Sequence, residues 1–316
     1  MLAKDVDECV EVIATHPVIG HRYGTAIEHL GAAWLRLLGC DGMRTTVFEA
    51  KEHGRARICF VGISVCVDDG FIRHLKTPPI PWAGPELVKW ITRGDSPVLT
   101  NRQLREGNSR GGLNLLVWEG CIRSGFETFK DVYREIVRAF LDNHRGFLWK
   151  EVIAGHVESV ERLRWTLSTG GLWWSPAAAR YVDAAAEDHA RICGEPHIVG
   201  LTRALELERP GSWVGELFNY RRPRCGFSRS EQQLLVSALS GATDEELTKA
   251  LHVSLPTVKK TWLSIYGRAA ALPNLIVDQS PSESPINRGK EKRRHLLAYL
   301  REHPEELRPY SLKRLP

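Results

Sequence analysis

At 316 residues the chain exceeds the length at which a single core usually keeps growing, so two domains are expected. No run of about 18 apolar residues occurs, and acids stand in MLAKDVDECV where a secretion signal would be apolar; neither membrane insertion nor export is expected, and the chain is assigned to the cytoplasm. The seven cysteines are scattered without a C-x-x-C pair, which fits small buried hydrophobes and excludes a disulfide framework or a zinc finger. The net charge of +5 is uneven: from Arg221 onward bases exceed acids by 7, whereas the first 220 residues balance at −2. A basic rear attached to a near-neutral front suits a polyanion-binding module joined to something else.

Along the chain, Ile27, Leu30, Trp34 and Leu37 repeat at helical spacing within 21–38. Two strand candidates follow, the β-branched Arg44–Ala50 and the nearly continuous apolar run Arg57–Val67, joined by a hairpin loop at Lys51-Glu52-His53-Gly54. Four prolines between Thr77 and Pro85 predict an irregular stretch, then a short helix at Glu86–Ile91 and a polar loop that includes Gly107–Gly111. A strand at Leu113–Trp118 precedes a helix that starts at Thr128, with Phe129, Val132, Tyr133, Ile136, Val137 and Phe140 on one face. Residues 157–220 read as mainly helical, broken at Gly170-Gly171 and Pro210-Gly211. The front is therefore expected to be a layer of antiparallel strands covered by helices, with a charged linker near 220–226.

Residues 227–268 contain three helix starts. Ser228 with Glu231 forms a capping box that opens a helix with Leu234, Leu235, Ala238 and Leu239 on one face, and Gly241 stops it. Thr243 with Glu246 opens a second helix that carries Leu247, Ala250 and Leu251. Ser254 caps a third, in which Pro256 is tolerated because the first turn has no use for its N–H. Only His252-Val253-Ser254 separates the last two, a connection short enough to make the helices cross steeply. The third helix is expected to bury Val258, Trp262 and Ile265 and to expose Thr257, Lys259, Lys260, Leu263 and Ser264, a face suited to phosphates and base edges in a DNA major groove.

This segment resembles the LuxR-type helix-turn-helix of bacterial regulators. The resemblance lies in Phe227-Ser228-Arg229-Ser230-Glu231, Gly241, Glu246-Leu247-Thr248, Ser254-Leu255-Pro256-Thr257-Val258-Lys259 and Ile265. It implies a framework of Glu231, Leu235, Gly241, Glu246, Leu247, Leu251, Ser254, Val258 and Ile265. Thr257, Lys259, Lys260, Leu263 and Ser264 are then the DNA-facing set, and a homodimer on double-stranded DNA is expected. The chain departs from the family at Thr261, where His is usual, and at Arg268-Ala269-Ala270, where Lys-Leu-Gly is usual. The family's fourth helix is displaced beyond a Pro/Ser-rich stretch, Asp278–Pro285, to a basic helix near Lys290–Glu302.

The fold class expected is α+β. An N-terminal domain over 1–220 is similar in layout alone to GAF or PAS sensors, an all-α helix-turn-helix domain covers 221–276, and a linker with a basic helix covers 277–316. The function expected is a sequence-specific transcriptional regulator controlled by a small-molecule or protein signal; the alternative is a protein-interaction adaptor whose helix-turn-helix no longer reads DNA. No catalytic residue, cofactor or metal is assigned. Asp68-Asp69 lacks the early acidic pair of a phosphoacceptor, and Gly194-Glu195-Pro196 separates His197 from His189 and Cys193. Nine of the ten tryptophans lie in the front part, where Trp82, Trp90 and Trp118 are candidates either to wall an effector pocket or to fill the core.

Overall fold

A seven-stranded sheet organises the first 218 residues. A computed structural model describes residues 1–52, 54–126, 130–270 and 285–310. They fall into two compact units, one of residues 1–144 with 148–218 and one of residues 145–147 with the chain from Asn219 onward. Among the described residues no helix is long and apolar enough to cross a membrane. The expected cap at Thr128, Phe129, the hairpin residue His53 and the Pro/Ser stretch up to residue 284 lie outside the described residues.

The first unit opens with three helices, α1 (Val6–Thr15), α2 (Ile19–Tyr23) and α3 (Ile27–Leu37). Strands β1 (Met43–Glu52) and β2 (Arg55–Val67) then pair antiparallel as a hairpin, with a bulge at Phe48/Glu49. Helices α4 (Asp69–Lys76), α5 (Ala83–Arg93) and α6 (Asn101–Ser109) lead into β3 (Leu113–Ile122), which pairs antiparallel with β2. Helix α7 (Lys130–His144) carries the chain to β4 (Trp149–Ala154), parallel to β3, as a helical crossover permits. Helix α8 (Val160–Ser168), strands β5 (Leu172–Ser175) and β6 (Arg180–Val182), helix α9 (His189–Gly194), strand β7 (Val199–Thr202) and helix α10 (Arg203–Glu208) complete the unit. The strand order is β1-β2-β3-β4-β7-β5-β6, so the fold is mixed and of the α+β class. Helices α1 and α5 pack on the central strands, where Trp34 of α3 meets Trp118 of β3 edge to face at 6.2 Å.

Three expectations change. Residues 157–220 are not mainly helical, because β5, β6 and β7 lie there; they are three or four residues long, and patterns so short carry no readable period. Gly107–Gly111 is not all loop. Helix α6 runs through Ser109, fixed by a capping box between Thr100 and Gln103 and by buried Leu104 and Asn108, with too few apolar residues to show a stripe. Helix α5 starts within the proline-rich stretch, since Pro85 occupies its first turn, where a missing N–H costs nothing.

The regular elements of the second unit are, among its described residues, all helical: α11 (Arg229–Leu239), α12 (Asp244–Leu251), α13 (Leu255–Ala269) and α14 (Pro285–Glu302), with a 3-10 turn at Pro304–Leu307. Phe227, Leu234, Leu235, Leu247, Val258, Trp262 and Ile265 share one core with Leu296 and Leu300 of α14. The C-terminal helix, read from sequence as a separate piece behind a linker, thus belongs to the same core. We expect Leu296→Ala, which removes a side chain with no solvent exposure, to destabilise this unit by about 2–5 kcal/mol, measured as a lowered urea midpoint by circular dichroism.

Candidate nucleic-acid interface

The starts of α11, α12 and α13 each have a side-chain cause. At α11 the Ser228 hydroxyl accepts from the Glu231 amide at 3.4 Å, while the Ser228 amide donates to Glu231 Oε2 at 2.6 Å. Gly241 follows with φ +89°, the left-handed conformation that ends a helix cheaply only for glycine. At α12 the Thr243 amide donates to Glu246 Oε2 at 2.7 Å and the Glu246 amide to Thr243 Oγ1 at 3.3 Å. His252 closes this helix at φ +53°, and the Val253 amide turns back to the Thr248 carbonyl at 3.1 Å. Ser254 at once caps α13, its hydroxyl accepting from the Thr257 amide at 3.4 Å. Two helices are therefore joined by a three-residue turn held at both ends.

The roll of α13 about its axis is set by burial and by one carboxylate. Val258, Trp262, Ile265 and Ala269 point inward, all at 5% exposure or less. Glu231, buried at the start of α11, receives the Ser264 hydroxyl on Oε1 at 2.7 Å and the Arg268 guanidinium at 3.2 Å. Arg268 also donates to the Gly226 carbonyl at 2.8 Å. Burial raises the Glu231 pKa, but the bonds from Ser264 and Ser228 together with the charge of Arg268 outweigh it and hold the carboxyl below its ordinary range.

With that roll fixed, Thr257, Lys259, Lys260, Leu263 and Ser264 all lie on the exposed side of α13. Leu263 is 72% exposed, on the same side of α13 as the two lysines. The five are not equivalent. The Ser264 hydroxyl is already committed to Glu231, and the Thr257 hydroxyl bonds that of Ser254 at 2.9 Å, leaving Lys259, Lys260 and Leu263 as the outward tips. The framework residues Leu235, Leu247, Val258 and Ile265 are fully buried, and Leu251 is half-buried against them; Ala250, grouped with them by spacing, is exposed.

Two residues matter more than their sequence context suggests. Arg293 of α14, one of a basic run, reaches inward to Asp244 Oδ1 at 2.9 Å and the Ala242 carbonyl at 2.9 Å, and lies 4.5 Å over the Trp262 ring. Glu306, with no exposure, accepts from the amides of Arg224 at 2.8 Å and Cys225 at 3.0 Å and from the Tyr299 hydroxyl at 3.2 Å. Nothing in the periodicity marks either; an acid in an otherwise ordinary Pro-Glu-Glu turn looks solvated.

In the first unit Asp68 caps α4 and Asp69 pairs with Lys150 at 2.8 Å, both structural uses. His197 accepts from the Val157 amide at 2.8 Å, and among the described residues no group of three or more His, Cys, Asp or Glu is placed to hold a metal ion. Comparison with family models, curated proteins and solved structures gives no match to this chain.

A depressed Glu231 pKa stabilises the folded state above the ordinary glutamate value of about 4.3, and that contribution is lost as pH falls through the ordinary range toward the folded value. The second unit should therefore lose stability on acidification from pH 6 to pH 3, and Glu231→Gln should be less stable at pH 7 with a flatter profile. Urea midpoints across that range measure it; parallel profiles for the two proteins would refute the assignment.

Proposed function

We propose that the second unit is a LuxR-type helix-turn-helix that binds double-stranded DNA, and that the chain is a transcriptional regulator acting as a homodimer, with the first unit as the place where a small-molecule or protein signal is received. One observation carries this reading. A 15-residue helix follows a three-residue turn, buries Val258, Trp262 and Ile265, and leaves Lys259, Lys260 and Leu263 facing outward. A helix of this width fits the major groove of B-form DNA.

The role of each outward residue follows from its chemistry. Lysine is a flexible point charge, so Lys259 and Lys260 meet phosphate oxygens or the O6 and N7 acceptors of guanine. Leu263 has no polar atom to offer; its methyls suit the 5-methyl group of thymine. The α13 N-terminus, capped by Ser254, favours a phosphate through the positive end of the helix dipole; Pro256 has no N–H to offer and the Thr257 amide is already donated to Ser254 Oγ. Because one such unit spans only a half-site, two copies on a near-palindromic operator are expected.

The protein-adaptor alternative has one feature in its favour: Leu263 and Val253 are exposed apolar residues on adjoining segments, as a protein partner would use. Selection of bound fragments from a genomic pool separates the two, since an adaptor enriches no sequence. On a selected site, Lys259→Ala with Lys260→Ala should weaken binding and flatten the plot of log affinity against log salt by about 0.9 for each phosphate left without its lysine, about 2 in all. Fluorescence anisotropy over a salt series reads this, and an unchanged slope rejects the assigned face.

A further inference from the structure

Helix α7 leaves part of its apolar stripe without a protein partner. Its first turns pack on the sheet, where Tyr133 and Ile136 meet a cluster of Cys59, Phe60 and Ile122. Further along, Val137 and Phe140 are only half-buried and line a cavity of about 730 Å³. Residues of α8 and of the Trp213–Phe218 turn line it too. Its floor is apolar: strand pairing sets Val117, Ala154 and Val199 in one row across β3, β4 and β7, with Val152 beside Leu201. Interiors are otherwise close-packed, and a space of this size lies within the range of drug-sized ligand sites.

One wall is a chain of rings: Phe140 meets Trp213 at 5.8 Å, and Trp213 meets Trp165 at 5.8 Å. Trp165 is 43% exposed, so this wall runs out to the surface and marks the mouth. Trp82 and Trp90, the sequence candidates for such a wall, lie elsewhere. Trp82 packs on Arg22 and His156, while Trp90 packs on Phe71 and bonds Glu86.

The charged groups around this apolar space favour an anion. Two arginines line it, Arg44 of β1 and Arg162 of α8. Of the two carboxylates among the lining residues, Glu119 is turned to Tyr23 and His156, its Oε1 receiving the Tyr23 hydroxyl at 2.6 Å and its Oε2 lying 3.4 Å from His156 Nε2. The other, Glu158, pairs with Arg162 Nε at 3.2 Å. Arg44 has a partner, and Ser64 and His144 bond each other. Arg162 is only half used. Its guanidinium lies 3.8 Å over the Tyr133 ring, between α7 and α8, and its side chain is 30% exposed. These contacts engage Nε and the side toward the ring. Among the described residues neither terminal nitrogen has a hydrogen bond, so the fork that takes a carboxylate by two parallel N–H bonds stands open at the edge of an apolar cavity.

We propose that this cavity binds a hydrophobic monocarboxylic acid. The body of the ligand lies on the row of Val117, Ala154 and Val199, against the Phe140–Trp213–Trp165 rings, and its carboxylate takes two N–H bonds from Arg162. Because the guanidinium is partly wetted, the anionic head keeps some of its water while the apolar body leaves water entirely. As the signal of a regulator this ligand rests on the function proposed above. As a binding site it belongs to the first unit alone, and its test contains no DNA, so the two readings fail separately.

The probes are pyrenebutyrate, whose emission changes on leaving water, and pyrenebutanol, which has the same ring and chain without the charge. Titrated into the full-length protein, the acid should saturate and bind about ten-fold tighter than the alcohol, the low end for hydrogen bonds to a charged group because Arg162 is partly exposed. Arg162→Gln should bring the two probes to equal affinity by weakening the acid alone. Val137→Trp should block both from α7; if that variant fails to fold, Val117→Phe fills the space from the floor. Circular dichroism and unfolding midpoints verify the fold of each variant. Absence of saturable binding by the acid, equal affinity of the two probes for the unmodified protein, an undiminished preference for the acid in folded Arg162→Gln, or full binding by a folded cavity-filled variant overturns the proposal.

Discussion

One buried carboxylate sets the geometry on which the candidate interface depends. Glu231 caps α11 through the Ser228 amide and ties that helix to α13 through Ser264 and Arg268. An α-helix turns 100° per residue, so a small roll of α13 would carry Lys259 and Leu263 off the outward face. Apolar burial resists such a roll only loosely, because hydrophobic contact is non-directional. The hydrogen bonds of Glu231 are directional, and they act on the outer half of α13, at Ser264 and Arg268, where the turn at His252–Ser254 has least hold. The capping role and the orienting role therefore fall on the same side chain. Arg268 supplies the charge that accompanies the second role.

The far end of the chain completes the unit. Leu296 and Leu300 close the core, Arg293 spans from α14 to the start of α12 and the face of Trp262, and Glu306 gathers the amides of Arg224 and Cys225. The Gln232 side chain adds bonds to the carbonyls of Glu306, at 3.0 Å, and Arg308, at 2.7 Å. Charge counting treats all cations of the basic rear alike, yet Arg268 and Arg293 are spent inside the unit. What remains outward on α13 is a pair of lysines beside a leucine, which is a narrower and more specific surface than the excess of seven bases implied.

The sequence was most legible where local chemistry decides the structure. Each of the three caps at Ser228, Thr243 and Ser254 needs only residues within one turn, so a single string of letters contains the whole interaction. The β1–β2 hairpin and the stripe of α7 were readable for the same reason. Elements were missed where the cause lies far away in sequence. Strand β7 is four residues long and exists because β4 and β5 flank it; α6 has one buried leucine and is held by its cap and by Asn108, which accepts from the Leu148 amide at 2.7 Å. At the interface, spacing gave the outward set, but it could not show that Ser264 was already engaged, since Glu231 is 33 residues distant.

The two units also show what an amphipathic pattern leaves open. The stripes of α13 and α7 obey the same period, yet Val258 and Ile265 are fully enclosed whereas Ile136 and Phe140 border open space. Periodicity names the face of a helix that shuns water; it is silent on whether protein or a ligand covers that face. In the first unit the difference comes from the sheet. Bulges at Phe48/Glu49 and Ile63/Ser64 set the register in which Gly62 stands opposite Gly120; the Phe60 ring covers Gly62, whereas a methyl group on Gly120 would meet no atom within 4 Å. A hollow beneath an apolar helix, bounded by rings, is a worse core than the same sequence could make with a larger residue at Gly120. Its persistence in the fold is the physical reason to look for a ligand there.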